Sequence, residues 1–146
     1  MKGSLLAIDP GAKTGYAVFY DGKLALTGVF EPVVISKNLG SEFDLVVIEN
    51  PVIYPHSKAN PNSILKLARV VGRYEQYFQA CRQRLVEPRD WKGTINGDIM
   101  VARILNQMTT PESLVFLKYQ GGYKHNAVDA IGLGKWAMRQ TWAATL

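Results

Sequence analysis

Three acidic residues stand where a carboxylate is costly unless it holds something. Asp9 ends the apolar run Leu5-Leu6-Ala7-Ile8 and is followed by Pro10-Gly11. Such a run reads as a strand covered on both faces, so the acid falls where the strand opens to solvent at a tight turn. That position suits a divalent cation or a phosphate. Glu49 repeats the arrangement: Leu45-Val46-Val47-Ile48 ends on it, and Asn50-Pro51 breaks the strand. Two acids on neighbouring strand ends raise one another's pKa unless a cation lies between them. A third acid, Asp129, belongs to the helical pattern that begins at Lys124. His125, four residues earlier, projects from the same helix face, and Asn126 also reaches it. Each residue has a plainer use. Asp before Pro-Gly starts turns, an acid early in a helix complements the macrodipole, and a lone histidine packs or caps. Taken together they describe oxygen donors with one imidazole, a set that suits Mg2+ and tolerates Mn2+.

The elements that must position these groups can be read along the chain. Opening strands are expected over Ser4 to Asp9, Gly15 to Tyr20 and Lys23 to Phe30, with Asp21-Gly22 as a hairpin turn. A short helix is expected within Val34 to Phe43, and a fourth strand ends at Glu49. After the proline-rich loop Pro51 to Pro61, Asn62 or Ser63 caps a long helix reaching about Arg84. Its apolar stripe, Ile64, Leu65, Leu67, Ala68 and Val71, reads as core. Leu85 to Pro88 is the fifth strand, Gly97-Asp98 introduces a helix through about Met108, and Lys124 begins the last. Val128, Ile131, Leu133 and Trp136 supply that helix's apolar positions. Three antiparallel strands followed by helix-strand alternation give an α/β class: a mixed five-stranded sheet with helices on both faces. No repeat or linker divides residues 1–146, so a single domain is expected.

Composition narrows the partners. The 146 residues carry a formal charge of +5, and the pI is about 9.4. A basic surface favours a polyanion. The single cysteine, Cys81, excludes an internal disulfide and a cysteine zinc cage. There is no signal-peptide pattern and no apolar run of membrane length, so an intracellular, cytoplasmic setting without membrane contact is expected.

The ordered constellation of strand-end Asp, strand-end Glu and late-helix Asp resembles the RNase H-like (retroviral-integrase) superfamily, and within it the RuvC-type Holliday junction resolvases. Ala7-Ile8-Asp9-Pro10-Gly11 with Thr14-Gly15-Tyr16 looks like that family's opening motif, and Asp129-Ala130-Ile131-Gly132 like its closing one. Ser63 to Ala68 is similar to the helix after the second acid, and Trp91-Lys92-Gly93-Thr94 to the segment before the third helix. The likeness spans most of the chain, with the first and last motifs the specific ones. The chain is compact for the family, which suits a viral (phage) source and a host-cell cytoplasm.

The resemblance implies an RNase H-like nuclease domain that hydrolyses paired phosphodiesters of four-way DNA junctions and leaves 5′-phosphates. It implies one or two Mg2+ ions on Asp9, Glu49, Asp129 and a fourth ligand, and a homodimer contacting through the long helix. No nucleotide cofactor is expected, and no Ser or Cys has a triad context. Two departures matter. Where the family places its fourth ligand, three residues before the last Asp, this chain has Asn126. His125 is the stronger candidate because imidazole is the better metal donor. Where the family often carries a lysine, Asn96-Gly97-Asp98 stands, so Lys92 or Lys118 must supply charge near the scissile phosphate.

Candidate DNA contacts are Tyr54, Lys58, Arg69, Arg73, Lys92, Lys118 and Lys124. Lysine and arginine on phosphates make affinity salt-sensitive, and junction preference then rests on shape. Two rivals remain open on sequence. One is an actin-like or sugar-kinase-type phosphate-binding ATPase lobe, suggested by Asp9-Pro10-Gly11 to Gly15. The other is a junction-binding relative without activity, suggested by Asn126.

Overall fold

An apolar run without polar alternation must be covered on both sides, and residues Leu5 to Ile8 are fully buried. They form the middle of β1 (Ser4–Asp9) in a computed structural model that describes residues 1–32 and 39–143. The other strands are β2 (Thr14–Tyr20), β3 (Lys23–Phe30), β4 (Leu45–Glu49) and β5 (Gln83–Val86). They make one sheet in the order β3-β2-β1-β4-β5. The β1–β2 and β2–β3 pairs are antiparallel, and the β1–β4 and β4–β5 pairs are parallel. Around the sheet lie α1 (Pro61–Tyr77), α2 (Pro88–Lys92), α3 (Gly97–Gln107), α4 (Thr110–Leu117) and α5 (Lys124–Met138). The mixed five-stranded sheet with helices on both faces is thus the one expected from sequence. No helix among the described residues is long and apolar enough to cross a membrane.

Strand alternation sorts the core into two layers. Leu6, Ile8, Val18, Val46 and Ile48 face one way, against Val71 and Tyr74 of α1 and against Phe78. Leu5, Ala7, Phe19, Leu45 and Val47 face the other way, against Val128, Ile131 and Leu133 of α5 and Met100 and Ile104 of α3. The α5 segment lies directly on the sheet because Gly134 faces Phe19. A Cβ there would meet the Phe19 ring at 2.3 Å.

Several expected boundaries move. The long helix ends at Tyr77, not near Arg84, and its cap is Asn60, whose side chain accepts from the Asn62 N–H at 2.9 Å. Pro61 then sits in the first turn, where a missing N–H costs nothing. The strand expected at Leu85 to Pro88 occupies Gln83–Val86, because Pro88 instead opens α2. The short helix expected within 34–43 lies outside the described residues over 34–38, and 39–43 are turn, bend and coil. Helices α2 and α4 were not expected. Of the stripe read as core on α1, only Val71 is buried; Ile64 and Leu67 are half-buried, Leu65 is 57% exposed and Ala68 is exposed.

The turn after Asp9 is held from the opposite side of the sheet. Thr14 is fully buried; its Oγ1 donates to the Gly11 carbonyl at 3.0 Å and accepts from the Gly11 N–H at 3.3 Å. The Tyr74 hydroxyl of α1 donates to the same oxygen at 2.6 Å, and burial pushes the Tyr74 phenol up to about 12. Tyr74→Phe keeps the ring but deletes this buried bond. We expect a loss of about 1–2 kcal/mol, read from urea unfolding. An unchanged midpoint would show that the turn does not depend on Tyr74.

Candidate active site

Two of the acids are brought together by sheet register alone. β1 and β4 pair in parallel, with Leu5 opposite Leu45 and Ile8 opposite Ile48. One step further sets Asp9 beside Glu49, on strands about 4.8 Å apart. Both acids share the parity of Leu5, Ala7, Leu45 and Val47, so both point to the α5 side. Glu49 itself pairs with Val86 of β5, which belongs to that same layer.

The third acid arrives with α5, whose first turn is docked on the β1–β2 turn. Gly15 makes this possible: a Cβ there would stand 1.9 Å from the Asn126 carbonyl oxygen and 2.2 Å from its carbon. The Asn126 side-chain amide donates to the Lys13 carbonyl at 2.8 Å, which fixes the approach. Asp129 then lies about one turn further along the helix. Among the described residues, its Oδ1 is a buried oxygen with no hydrogen-bond partner.

The electrostatics show that the three acids share one region. Burial first, then Glu49 and Asp129, push the Asp9 carboxyl well above the ordinary carboxylate range, against a downward pull from Lys92. Burial also pushes Asp129 up to about 6, with Glu49 adding to it and with Lys92 and His125 opposing. Lys92 of α2 stands in this field with its Nζ 3.3 Å from Glu49 Oε2. Burial alone would depress its ammonium, but the fields of Glu49, Asp129 and Asp9 outweigh that and hold it above its usual value. The indole N–H of Trp91 donates to Glu49 Oε2 at 2.7 Å, and Lys92 Nζ lies 4.9 Å from the Trp91 ring centroid.

These features test whether a divalent cation suits the site. Three clustered carboxylates, two of them pushed towards protonation, and an unpartnered buried oxygen on Asp129 are the donor set of a hard cation. Among the described residues, no three His, Cys, Asp or Glu side chains are already closed into a grip for an ion. Lys92 supplies the neutralising charge in this arrangement, and the donor chemistry fits.

Other expected site residues divide. His125 is exposed, close enough to Asp129 to lower its pKa, with its ring 6.4 Å from that of Tyr123. Asn126 carries the docking bond to Lys13. Of the two candidate lysines, Lys92 is beside the acids. Lys118 is exposed at the end of α4, which packs on β3, two strands from β1. Tyr54 is half-buried and already engaged: the Arg89 guanidinium lies 3.9 Å over its ring, and its hydroxyl accepts from the Arg89 N–H at 3.3 Å. Lys58, Arg69, Arg73 and Lys124 are exposed. Sequence reading missed the role of Trp91 on Glu49; its only signal was an indole beside Lys92.

No protein-family model matches the sequence, and no curated protein matches it. Solved structures match in fold. Thermus thermophilus RuvC in complex with a Holliday junction substrate is 12% identical, with a TM-score of 0.57 over 91% of this chain and 90% of that one. A Fowlpox virus resolvase in complex with substrate Holliday junction DNA is 17% identical, with a TM-score of 0.60 over 92% and 97%. A further Thermus thermophilus RuvC structure gives 15% and 0.50 over 91% and 92%.

This chain has the RuvC fold. The likeness runs nearly end to end on both sides, so the RuvC-like core accounts for the elements described above.

Asp129 sets the sign of one pH effect. Its folded-state pKa, about 6 against the ordinary 3.8, means that the folded chain holds a proton the unfolded chain has released. Without metal, stability should therefore fall as pH rises from about 4 to about 6 and stay lower above that window. Asp129→Asn should flatten the fall and stabilise the metal-free protein at neutral pH by on the order of 1 kcal/mol. Thermal unfolding in chelator across the window checks this; parallel curves for both proteins would contradict it.

Proposed function

We propose that this protein is a metal-dependent endonuclease that resolves four-way DNA junctions. The observation carrying the proposal is the acid cluster itself. Asp9, Glu49 and Asp129 lie within electrostatic reach of one another at one end of the sheet, in a fold shared with resolvases seen on junction DNA. The +5 charge and the exposed Lys58, Arg69, Arg73 and Lys124 support a polyanionic substrate.

In this reading Asp9, Glu49 and Asp129 hold Mg2+, with Mn2+ also accepted, and His125 is the fourth ligand. Bound magnesium would polarise the phosphodiester, activate water and stabilise the departing oxygen. The chain's own residues prepare that chemistry. Trp91 fixes the rotamer of Glu49 through its indole N–H. Asn126 sets the height of α5, and so the reach of Asp129. Lys92 is the cation paired with Glu49 among the described residues, and in this reading it meets a phosphate oxygen of the strand. Paired incisions need two such sites, so a homodimer is part of the proposal. The apolar side chains that α1 leaves exposed, Leu65 and Tyr77, are the surface offered for it.

A cleavage assay on a synthetic four-way junction with Mg2+ tests the reading. Asp9→Asn should lower cutting by more than about 10²-fold, beyond what losing an outer-shell partner costs, while junction binding persists. Full activity in that variant would remove Asp9 from the chemistry. His125→Ala should be impaired at saturating Mg2+, and Asn126→Ala should lose thermal stability. The reverse pattern would make Asn126 the fourth ligand. Leu65→Arg should give a monomer in sedimentation; an unchanged mass would take α1 out of the interface.

A further inference from the structure

A second concavity shares a wall with the acid cluster. It lies between α2, α3 and α5 and encloses about 370 Å³. That is the small end of the roughly 300–1,000 Å³ typical of ligand pockets, room for one nucleotide and not for a duplex. Trp91, Trp136, Met100 and Ile104 line it with apolar surface, and Arg103 and Arg139 stand on its rim. Both arginines are exposed, and neither guanidinium has a partner among the described residues. The other lining cations are already paired, Lys135 with Glu112 at 2.8 Å and Lys92 with Glu49 at 3.3 Å. The cavity therefore combines indole surface with two uncommitted guanidiniums. Such a surface stacks a base and takes its phosphate in bidentate fashion.

Trp91 links this cavity to the acids. Its indole N–H is on Glu49, while the far edge of the ring faces the cavity, with Cζ3 3.0 Å from where a Gly132 side chain would begin. Gly132 lies three residues beyond Asp129 on α5, so the cavity begins about one helical turn from the third acid.

We propose that the cavity between α2, α3 and α5 receives one nucleotide of the DNA strand bound at the acids. Its base lies against Trp91 and Trp136, and its phosphate lies on Arg103 and Arg139. The proposal rests on the nuclease reading for its setting, but it can be tested without cleavage. A base seated there presses on the indole that holds Glu49, so the nucleotide beside the cut influences how that carboxylate is presented. Base preference at that position then has a physical origin in the cavity and not in a groove code.

The first experiment titrates metal-free protein with 2′-deoxyguanosine 5′-monophosphate and follows tryptophan fluorescence. Saturable quenching is expected. An Arg103→Ala, Arg139→Ala double variant should weaken it by about tenfold or more, the scale of losing charge-assisted bonds to phosphate. Gln107→Phe, which fills the cavity and leaves both arginines, should weaken it likewise. Thermal unfolding at the wild-type temperature shows that each variant is folded. The second experiment varies the bases beside the cut in a four-way junction; the double variant should cut all of them more evenly than the wild type. No saturable quenching at millimolar nucleotide, or quenching equal in all proteins, overturns the cavity assignment even if junctions are cut. Quenching that depends on both arginines, in a protein that cuts no junction, supports the cavity and overturns the nuclease reading.

Discussion

Crowding three carboxylates at one end of a sheet is electrostatically uphill, and much of the structure around them can be read as what makes it tolerable. The strand register leaves Asp9 and Glu49 no choice but to be neighbours, because buried strands cannot slip by one residue without turning their apolar side chains outward. Asp129 is brought over them by a contact that only glycine permits, between Gly15 and the Asn126 carbonyl. Rigid placement of this kind leaves relief to charge and protonation, and both occur. Lys92 enters the cluster, and the carboxyls of Asp9 and Asp129 shift towards the neutral form.

The two sheet faces are used differently. On the α5 side, glycines at 15, 132 and 134 allow backbone and rings to approach closely, and the helix interior is buried almost throughout. On the α1 side only Val71 and Tyr74 of the helix are buried, together with Phe78 just beyond it. The tightly packed face carries the acid cluster, where small displacements of a carboxylate would matter most. The loosely covered face leaves Leu65 and Tyr77 of α1 exposed.

Much of this was legible in the chain because burial and charge conflict openly there. An acid at the end of a fully apolar run marked Asp9 and Glu49, but a run buried on both faces does not tell which side they face. The limits are as physical. Helix α2 has five residues and one buried side chain, too short to show a period, so the indole bond from Trp91 to Glu49 was invisible. Helix α4 did carry a signal, the Thr109 cap with Glu112 three residues on. The end of α1 was overrun because nothing between Tyr77 and Arg82 is a strong breaker, and the chain leaves the helix at Phe78 to bury that ring. Tyr54 read as a free platform because sequence cannot show that Arg89, 35 residues away, folds over it.

The hydroxyl pair Tyr74–Thr14 joins the two sides of the molecule. It spans from α1, on one face of the sheet, to the loop that follows Asp9. Val71 and Tyr74 are the buried residues of that helix, so this one bond ties its position to the strand end that carries Asp9. A load on one face of the sheet would then be felt beside the acids on the other, through two side chains and one turn.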